Sequence, residues 1–240
     1  MKLKYLLTSS ALVLALASSV FLSMAASPVV TVNGGNEVQL SRSVIYWEYN
    51  ATANDLGVHV TLDGENWKRM KIFRPNDSLV FDVKGYGPYN ELGMTELFFE
   101  GAEPNLGEFP LSGLLARFPE GTYDFEGETV EGDDIEGESN FSHAIPAGPR
   151  VAAQLGANNF VRIAWAPVTT TPIGFPARPI VIKGYQVIVG TFQVTLPSTA
   201  TFVTLPPEFV ASLLPGVQAF EVLAIEQHGN QTLTEGSFVH

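Results

Sequence analysis

The chain has 240 residues and an acidic composition, with 25 Asp and Glu residues against 13 Lys and Arg residues and a formal net charge of −12. Binding to nucleic acid or to an anionic membrane surface requires clustered Lys and Arg, so this charge argues against both partners. The chain contains no cysteine, which excludes disulfides and means that packing alone has to stabilise the fold.

The N-terminus has the pattern of a secretory signal peptide. Lys2 and Lys4 precede an uncharged apolar run over residues 5–22, and residues 23–25 place small side chains at a cleavage site. A transmembrane anchor is the competing interpretation, because the run is nearly long enough to span a bilayer. The small residues that follow the apolar run, Ser23 and Ala25, favour cleavage over retention as an anchor. We therefore predict a secreted or periplasmic protein that has no membrane span after residues 1–25 are removed.

The region from 26 to 146, the N-terminal half, has the pattern of an all-β domain. Short runs of alternating apolar and polar residues are separated by Gly, Pro, Asn and Asp. They predict strands at 43–49, 57–63, 69–74, 78–85, 95–102, 121–129 and 134–145. One segment, 107–121, has apolar residues at helical spacing and ends at Pro119. The N-terminal half is therefore predicted to be an immunoglobulin-like β-sandwich with a short inserted helix.

A composition change marks a predicted domain boundary. The N-terminal half holds 7 basic and 21 acidic residues, whereas residues 147–240, the C-terminal half, hold 4 of each. Residues 142–151 contain two prolines and a glycine and read as a short linker. We predict two tandem β-sandwich domains, at 26–146 and 147–240.

The C-terminal half is predicted to contain about seven strands. Its candidate strands are 160–168, 182–191, 192–197, 202–209, 220–232 and 236–240. Trp165 and Tyr185 fall in the second and third of the expected strands, and "LPPEF" and "LLPGVQAFEVLAIEQHGNQT" supply the later ones. With these features the region resembles a fibronectin type III domain.

The resemblance implies a core between two sheets. Trp165 and Tyr185 would belong to that core, and strand parity would turn Phe220, Val222 and Ala224 inward. Two features depart from the family. The tyrosine that usually follows the Pro-Gly turn is replaced by Gln or Ala at 218–219, and the loop before the last strand has no Arg-Gly-Asp. Integrin-type adhesion therefore has no support.

The stretch "EGETVEGDDIEGES" at 126–139 is the most acidic part of the chain. Its spacing does not fit a hand-type calcium loop. Strand alternation on both sides predicts a hairpin with "EGDD" as its turn and the acids facing water. The alternative is a weak calcium site at the tip, with Glu131, Asp133 and Asp134 as ligands.

An exposed loop is predicted at "KGYGPYNELGM", residues 84–94. Tyr86 and Tyr89 flank Gly87 and Pro88 there, and stiff aromatic side chains suit stacking on sugar rings or anchoring a protein partner. The alternative is that the tyrosines fold back and cap the core. Trp67, just past a Gly-containing turn, is a third candidate ligand contact, whereas Trp47 is expected in the core.

No catalytic centre is predicted. Nucleophilic catalysis needs Ser or Cys paired with a His that an acid orients, and the chain has neither Cys nor a Gly-x-Ser-x-Gly motif. We expect His59 to face outward between Val58 and Val60, and no two histidines have the spacing of zinc ligands. Paired carboxylates stay open as an alternative, because their separation depends on tertiary structure.

The sequence thus predicts a non-catalytic binding or adhesion-type module that recognises a polysaccharide, a cell-envelope component or a protein partner. The alternative is a structural, calcium-dependent extracellular matrix or adhesion protein in which the acidic hairpin binds ions. No cofactor other than calcium is considered.

Overall fold

The computed structural model describes residues 36–240, so the predicted signal peptide lies outside the described residues. Over this range the chain is all-β in class. None of the helices in the described range is long and apolar enough to cross a membrane. The strands are β1 (Glu37–Gln39), β2 (Arg42–Asn50), β3 (Asp55–Phe73), β4 (Leu79–Lys84), β5 (Met94–Glu100), β6 (Gly121–Thr129), β7 (Asp134–Phe141), β8 (Val151–Gly156), β9 (Phe160–Trp165), β10 (Ile182–Val189), β11 (Phe192–Pro197), β12 (Phe202–Thr204), β13 (Val217–Glu226) and β14 (Gln231–Val239). The helices are α1 (Pro88–Leu92), α2 (Leu111–Arg117) and α3 (Pro207–Ser212).

The N-terminal half is organised around the long strand β3. Residues 57–63 and 69–74 were predicted to be two strands, but they belong to one long strand that has two sets of neighbours in the same sheet. Its first part pairs with β2 and β5, and its last part pairs with β4 and β6. The ladders shift register between Asp63 and Trp67, so the strand changes its neighbours without ending. The predicted short helix is confirmed as α2.

The sheet of the N-terminal half curves back on itself. Strand β7 pairs with β6 on one side and lies beside β2 on the other. Side chains bridge that second contact, because Ser43 Oγ donates to the Glu138 carbonyl and the Ile45 N–H donates to Ser139 Oγ. Alternate residues of these strands fill the interior. The largest fully buried side chains there are Trp47, Trp67, Tyr123, Phe125 and Phe141.

The C-terminal half has the fibronectin type III-like sandwich that the resemblance implies. Strands β8, β9 and β12 form one sheet, and β10, β11, β13 and β14 form the facing one. The predicted core is confirmed, since Trp165 and Tyr185 are buried with ring centroids 5.4 Å apart. The three residues predicted inward on β13 are also buried: Phe220, Val222 and Ala224.

Two predicted strands in the C-terminal half have other bounds in the structure. Residues 220–232 are not one strand, because β13 ends at Glu226 and β14 begins at Gln231. Residues 202–209 form a strand only as far as Thr204, and α3 begins at Pro207. Proline is favourable at the first position of a helix, because the N–H that it lacks has no partner there and its fixed φ matches the helix. This explains why α3 starts at Pro207. Strand β8 begins at Val151, the last residue of the predicted linker, and pairs with β9.

The two halves share one sheet, which the sequence did not predict. Strand β14 pairs in parallel with β2, with Gln231 opposite Glu48 and Leu233 opposite Asn50. Parallel pairing between strands so far apart in the chain depends only on tertiary structure. Two separate clusters of buried apolar residues lie on either side of this junction. The exact domain boundary at 146–147 stays a prediction.

Candidate functional site

The segment Tyr86–Leu92, here called the aromatic turn, follows β4 and contains α1. It is held by backbone hydrogen bonds, because the Gly85 N–H donates to the Lys68 carbonyl and the N–H groups of Asn90 and Glu91 donate to the Gly87 carbonyl. Gly87 has φ +54°, a conformation that glycine adopts without steric cost. The predicted loop is therefore a short ordered helical turn.

The two predicted tyrosines point away from the core. Tyr86 is 76% exposed and Tyr89 is 65% exposed, and no residue of α1 is buried. Leu92 is exposed beside them. The alternative in which these rings cap the sandwich does not hold. Lys84 Nζ lies 5.8 Å from the Tyr86 ring centroid.

The role predicted for Trp67 as a ligand contact is wrong. Its side chain is fully buried, at 0% exposure, within the N-terminal core. Trp67 lies on β3 where the strand changes neighbours, opposite Met94 of β5 and Thr129 of β6. The expected turn before it does not end the strand. Register shifts on both sides of Trp67 interrupt the alternation and place the indole in the same core as Leu62 and Met70.

The acidic hairpin has the predicted shape, with β6 ending at Thr129 and β7 starting at Asp134. The three predicted calcium ligands do not meet at its tip. Asp133 Oδ1 accepts a hydrogen bond from the Asn36 N–H, and Glu131 Oε1 accepts one from Asn66 Nδ2. Within residues 36–240, these acids do not form a group whose ligand atoms all lie within 4.8 Å. The structure therefore gives the calcium hypothesis no site at these residues.

The outer face of the hairpin carries rows of like charge. The register places Asp124 opposite Glu138, Glu126 opposite Glu136 and Glu128 opposite Asp134, six acids that face water as predicted, and β1 adds Glu37 opposite Asp134. Directly opposed like charges destabilise an antiparallel pair. Burial, followed by the charges of Glu37 and Glu126, raises the pKa of Glu136 above its usual value.

Glu136→Gln is expected to stabilise the protein by roughly 0.2–1 kcal/mol near neutral pH, because it removes one charge from a like-charged row. A carboxyl whose folded pKa is raised costs stability once it ionises. The gain should therefore vanish as the pH falls below the ordinary pKa of glutamate. Thermal unfolding at several pH values measures this, with Glu108→Gln, in an exposed turn, as control. A lower melting temperature for Glu136→Gln at neutral pH would contradict the prediction.

A buried polar cluster of Glu48, His59 and Glu103 was missed by the sequence analysis. His59 was expected to face solvent, but it is 2% exposed. Its Nε2 atom lies 3.0 Å from Glu103 Oε1 and 4.0 Å from Glu48 Oε1. Glu48 and His59 lie near each other across the β2–β3 ladder, which the sequence could have suggested. Glu103 comes from a distant segment that no local pattern connects to them.

The protonation of this cluster reflects its burial and its excess of acids. Burial by itself would lower the pKa of His59, but the hydrogen bond that the ring makes to the Glu103 carboxylate and the charges of Glu48 and Glu103 together raise it. Burial raises the pKa of Glu48, and His59 offsets part of that effect. The pKa of both groups is therefore raised, for His59 by the nearby carboxylates and for Glu48 by burial.

The remaining histidine contacts do not form a hydrolytic arrangement. In the part of the chain that the structure describes, the ring of His143 contacts the Phe118 carbonyl and the ring of His228 contacts the Glu226 carboxylate. No histidine ring in this range is hydrogen-bonded to a serine or threonine hydroxyl, the contact that activates such a nucleophile.

Comparisons with known proteins find similarity to solved structures only, at low identity and low TM-score. No family model and no curated protein matches it, whereas 163 chains of solved structures match. A Clostridium perfringens spore cortex lytic enzyme, SleM, is 19% identical over 40% of this chain and 28% of that chain, with a TM-score of 0.31. Fibronectin(III)-like modules of Clostridium thermocellum CbhA are 11% identical over 82% of this chain and 92% of that chain, with a TM-score of 0.29. A segment of two fibronectin type III domains from chicken tenascin is 12% identical over 87% of this chain and 100% of that chain, also with a TM-score of 0.29. These values assign neither a family nor an activity.

Proposed function

We propose that this protein is a secreted, non-catalytic binding module that contacts its partner through the aromatic turn. One observation carries the proposal: Tyr86 and Tyr89 are both largely exposed on a segment whose backbone is fixed by hydrogen bonds. The partner is a polysaccharide, a cell-envelope component or a protein. The predicted signal peptide supports a location outside the cytoplasm.

Energetics support this use of the aromatic turn. A tyrosine ring buries a large apolar area on contact and loses little conformational entropy, because it has only two side-chain torsions. The turn is already ordered, so a partner would not have to pay for ordering it. Since neither ring contributes to the core, their exposure has no packing role to explain it.

The charge of the N-terminal half restricts the partner. Acidic rows on β6 and β7 would repel a polyanion. A neutral glycan or a protein surface with basic residues fits better. Lys84, which lies beside the Tyr86 ring, would be close to either partner. The C-terminal half would then act as a spacer, which the shared sheet would hold at a fixed orientation.

The double variant Tyr86→Ala/Tyr89→Ala is expected to lose at least about 100-fold in affinity, because centrally placed aromatic contacts contribute about 2 kcal/mol or more each. Its melting temperature should stay unchanged. The measurement is retention of cell-envelope and polysaccharide extracts on immobilised protein, followed by titration with the retained component. The chemical nature of the retained component distinguishes a glycan partner from a protein partner.

The matched control is Leu214→Ala/Val217→Ala, which removes two exposed apolar side chains from the C-terminal half. It should retain the partner as well as the unsubstituted protein. Equal retention by the tyrosine double variant, or equal loss in both double variants, would contradict the proposal. A fall in melting temperature for the tyrosine variant would show that the rings have a packing role.

A further inference from the structure

We propose that Glu48, His59 and Glu103 form a binding site for a divalent transition-metal ion of the Zn²⁺ class. Each residue offers one ligand atom, and the three atoms lie within 4.8 Å of one another. Ligand atoms on a tetrahedral zinc ion lie about 3.4 Å apart, given metal–ligand distances of about 2.0–2.2 Å. The observed separations from His59 Nε2, 3.0 and 4.0 Å, bracket that value.

Three backbone segments supply these ligands. Strand β2 supplies Glu48 and β3 supplies His59. The segment after β5 runs alongside β3, since the Gly101 N–H donates to the Val58 carbonyl and Leu106 donates to Asn54. This path lays Glu103 across the sheet between the other two ligands.

Gly57 makes the arrangement possible. A Cβ atom at this position would lie 2.5 Å from Glu103 Cγ and 3.0 Å from Glu103 Oε1. Any side chain there would push Glu103 away, because such a distance is far below van der Waals contact. The absence of a side chain at Gly57 therefore leaves the space in which Glu103 reaches His59.

The surroundings resemble those of a metal site more than those of a simple ion pair. Gln231 Nε2 donates a hydrogen bond to Glu48 Oε2, which leaves Oε1 free to face His59 and orients the carboxylate as outer-shell partners orient metal ligands. The rings of Tyr46 and Phe98 flank the imidazole at 5.3 and 6.0 Å. They shield the cluster from water on two sides.

Charge also favours a cation. Glu48, Glu100 and Glu103 face a single histidine, and within residues 36–240 none of these carboxylates forms a salt bridge with Lys or Arg. A divalent ion would neutralise charge that one imidazolium leaves uncompensated. The mixed nitrogen and oxygen donors select a transition ion over calcium, which takes oxygen ligands.

A bound ion would stabilise a chain that has no disulfide. It would link β2, β3 and the segment after β5, and through Gln231 it would extend to β14 of the C-terminal half. Three protein ligands leave a fourth position for water on the side of Glu103, the more exposed carboxylate at 27% against 13% for Glu48.

The test is calorimetric titration of the full chain with ZnCl₂ and thermal unfolding with and without the ion. We expect one site per chain, and a rise in melting temperature of about 5–10 °C when free Zn²⁺ is about 100-fold above Kd. Affinity should fall toward about pH 5, because the ligands must lose their protons. The groups facing the site are Tyr46, Glu48, His59, Glu100 and Glu103. Calcium should have no comparable effect.

Three variants locate the site. Glu103→Gln and His59→Gln should each weaken Zn²⁺ binding by more than about 100-fold, a larger effect than loss of an outer-shell partner. Gly57→Ala should weaken it as well, although it removes no ligand. The matched control is His228→Gln. His228 is paired with Glu226 at 2.9 Å, but among the described residues it does not belong to a group of three possible metal ligands.

Glu103 lies at the exposed rim of the cluster, so Glu103→Gln should fold. If His59→Gln does not fold, Glu103→Gln decides the test. The proposal is overturned if the unsubstituted protein shows no stoichiometric binding at millimolar Zn²⁺, or if Glu103→Gln binds it as tightly. It is also overturned if only His228→Gln loses the ion, or if Ca²⁺ raises the melting temperature as much as Zn²⁺ does.

Discussion

Trp67→Ala is expected to lower the free energy of unfolding by about 3–5 kcal/mol, the range for truncating a large buried aromatic side chain. The indole is fully buried at the point where β3 changes its neighbouring strands. Its removal would leave a cavity in the core, and β3 cannot move to fill it without breaking its ladders with those strands. Urea denaturation measures the effect as a shift of the midpoint.

Two further variants make this prediction specific. Trp67→Phe should lower the free energy of unfolding much less, because it keeps most of the apolar volume. It also removes a buried indole N–H for which no described residue provides a hydrogen-bond acceptor. Tyr86→Ala removes an exposed aromatic ring and should change stability by less than about 0.5 kcal/mol. Equal effects of Trp67→Ala and Tyr86→Ala would contradict the assignment of Trp67 to the core.

Asn230→Ala is expected to lower the free energy of unfolding by about 2–4 kcal/mol, because it leaves several buried backbone groups unpaired. Asn230 is buried in the turn between β13 and β14. Its Oδ1 accepts from the Trp47 N–H at 2.9 Å, and its Nδ2 donates to the Ser142 carbonyl at 2.8 Å and to the Ala144 carbonyl at 3.3 Å. One side chain therefore joins the C-terminal half to two segments of the N-terminal half.

The control is Asn140→Ala. Asn140 is exposed on β7, and like Asn230 it begins an Asn-x-Ser/Thr sequence. That change should cost less than about 0.5 kcal/mol. Hydrogen exchange of the Trp47 amide gives a local readout, because its protection should fall in Asn230→Ala before the rest of β2 is affected. Unchanged exchange at Trp47, or equal stability of the two variants, would show that Asn230 does not join the halves.

The candidate binding and metal sites differed in how well the sequence predicted them. The prediction of the exposed tyrosines was local, because Gly87 and Pro88 mark a turn in any context. Trp67 and His59 were misplaced for two different reasons. The assignment of Trp67 assumed a turn at the Gly-containing segment after Asp63, and the assignment of His59 assumed that one face of the strand is exposed to water. The strand instead continues, and the segment after β5 covers part of its other face.

The sequence by itself determined the all-β class, the bounds of some strands and the inward faces of several of them. Strands β6 and β11 have the predicted bounds, and alternation placed Phe125 and Val222 in their cores, because a strand turns successive side chains to opposite faces. Only the tertiary structure decided the parallel pairing of β14 with β2 and the meeting of Glu48, His59 and Glu103. These contacts join residues that are far apart in the chain, and the periodicity of one segment carries no information about which other segment packs on it.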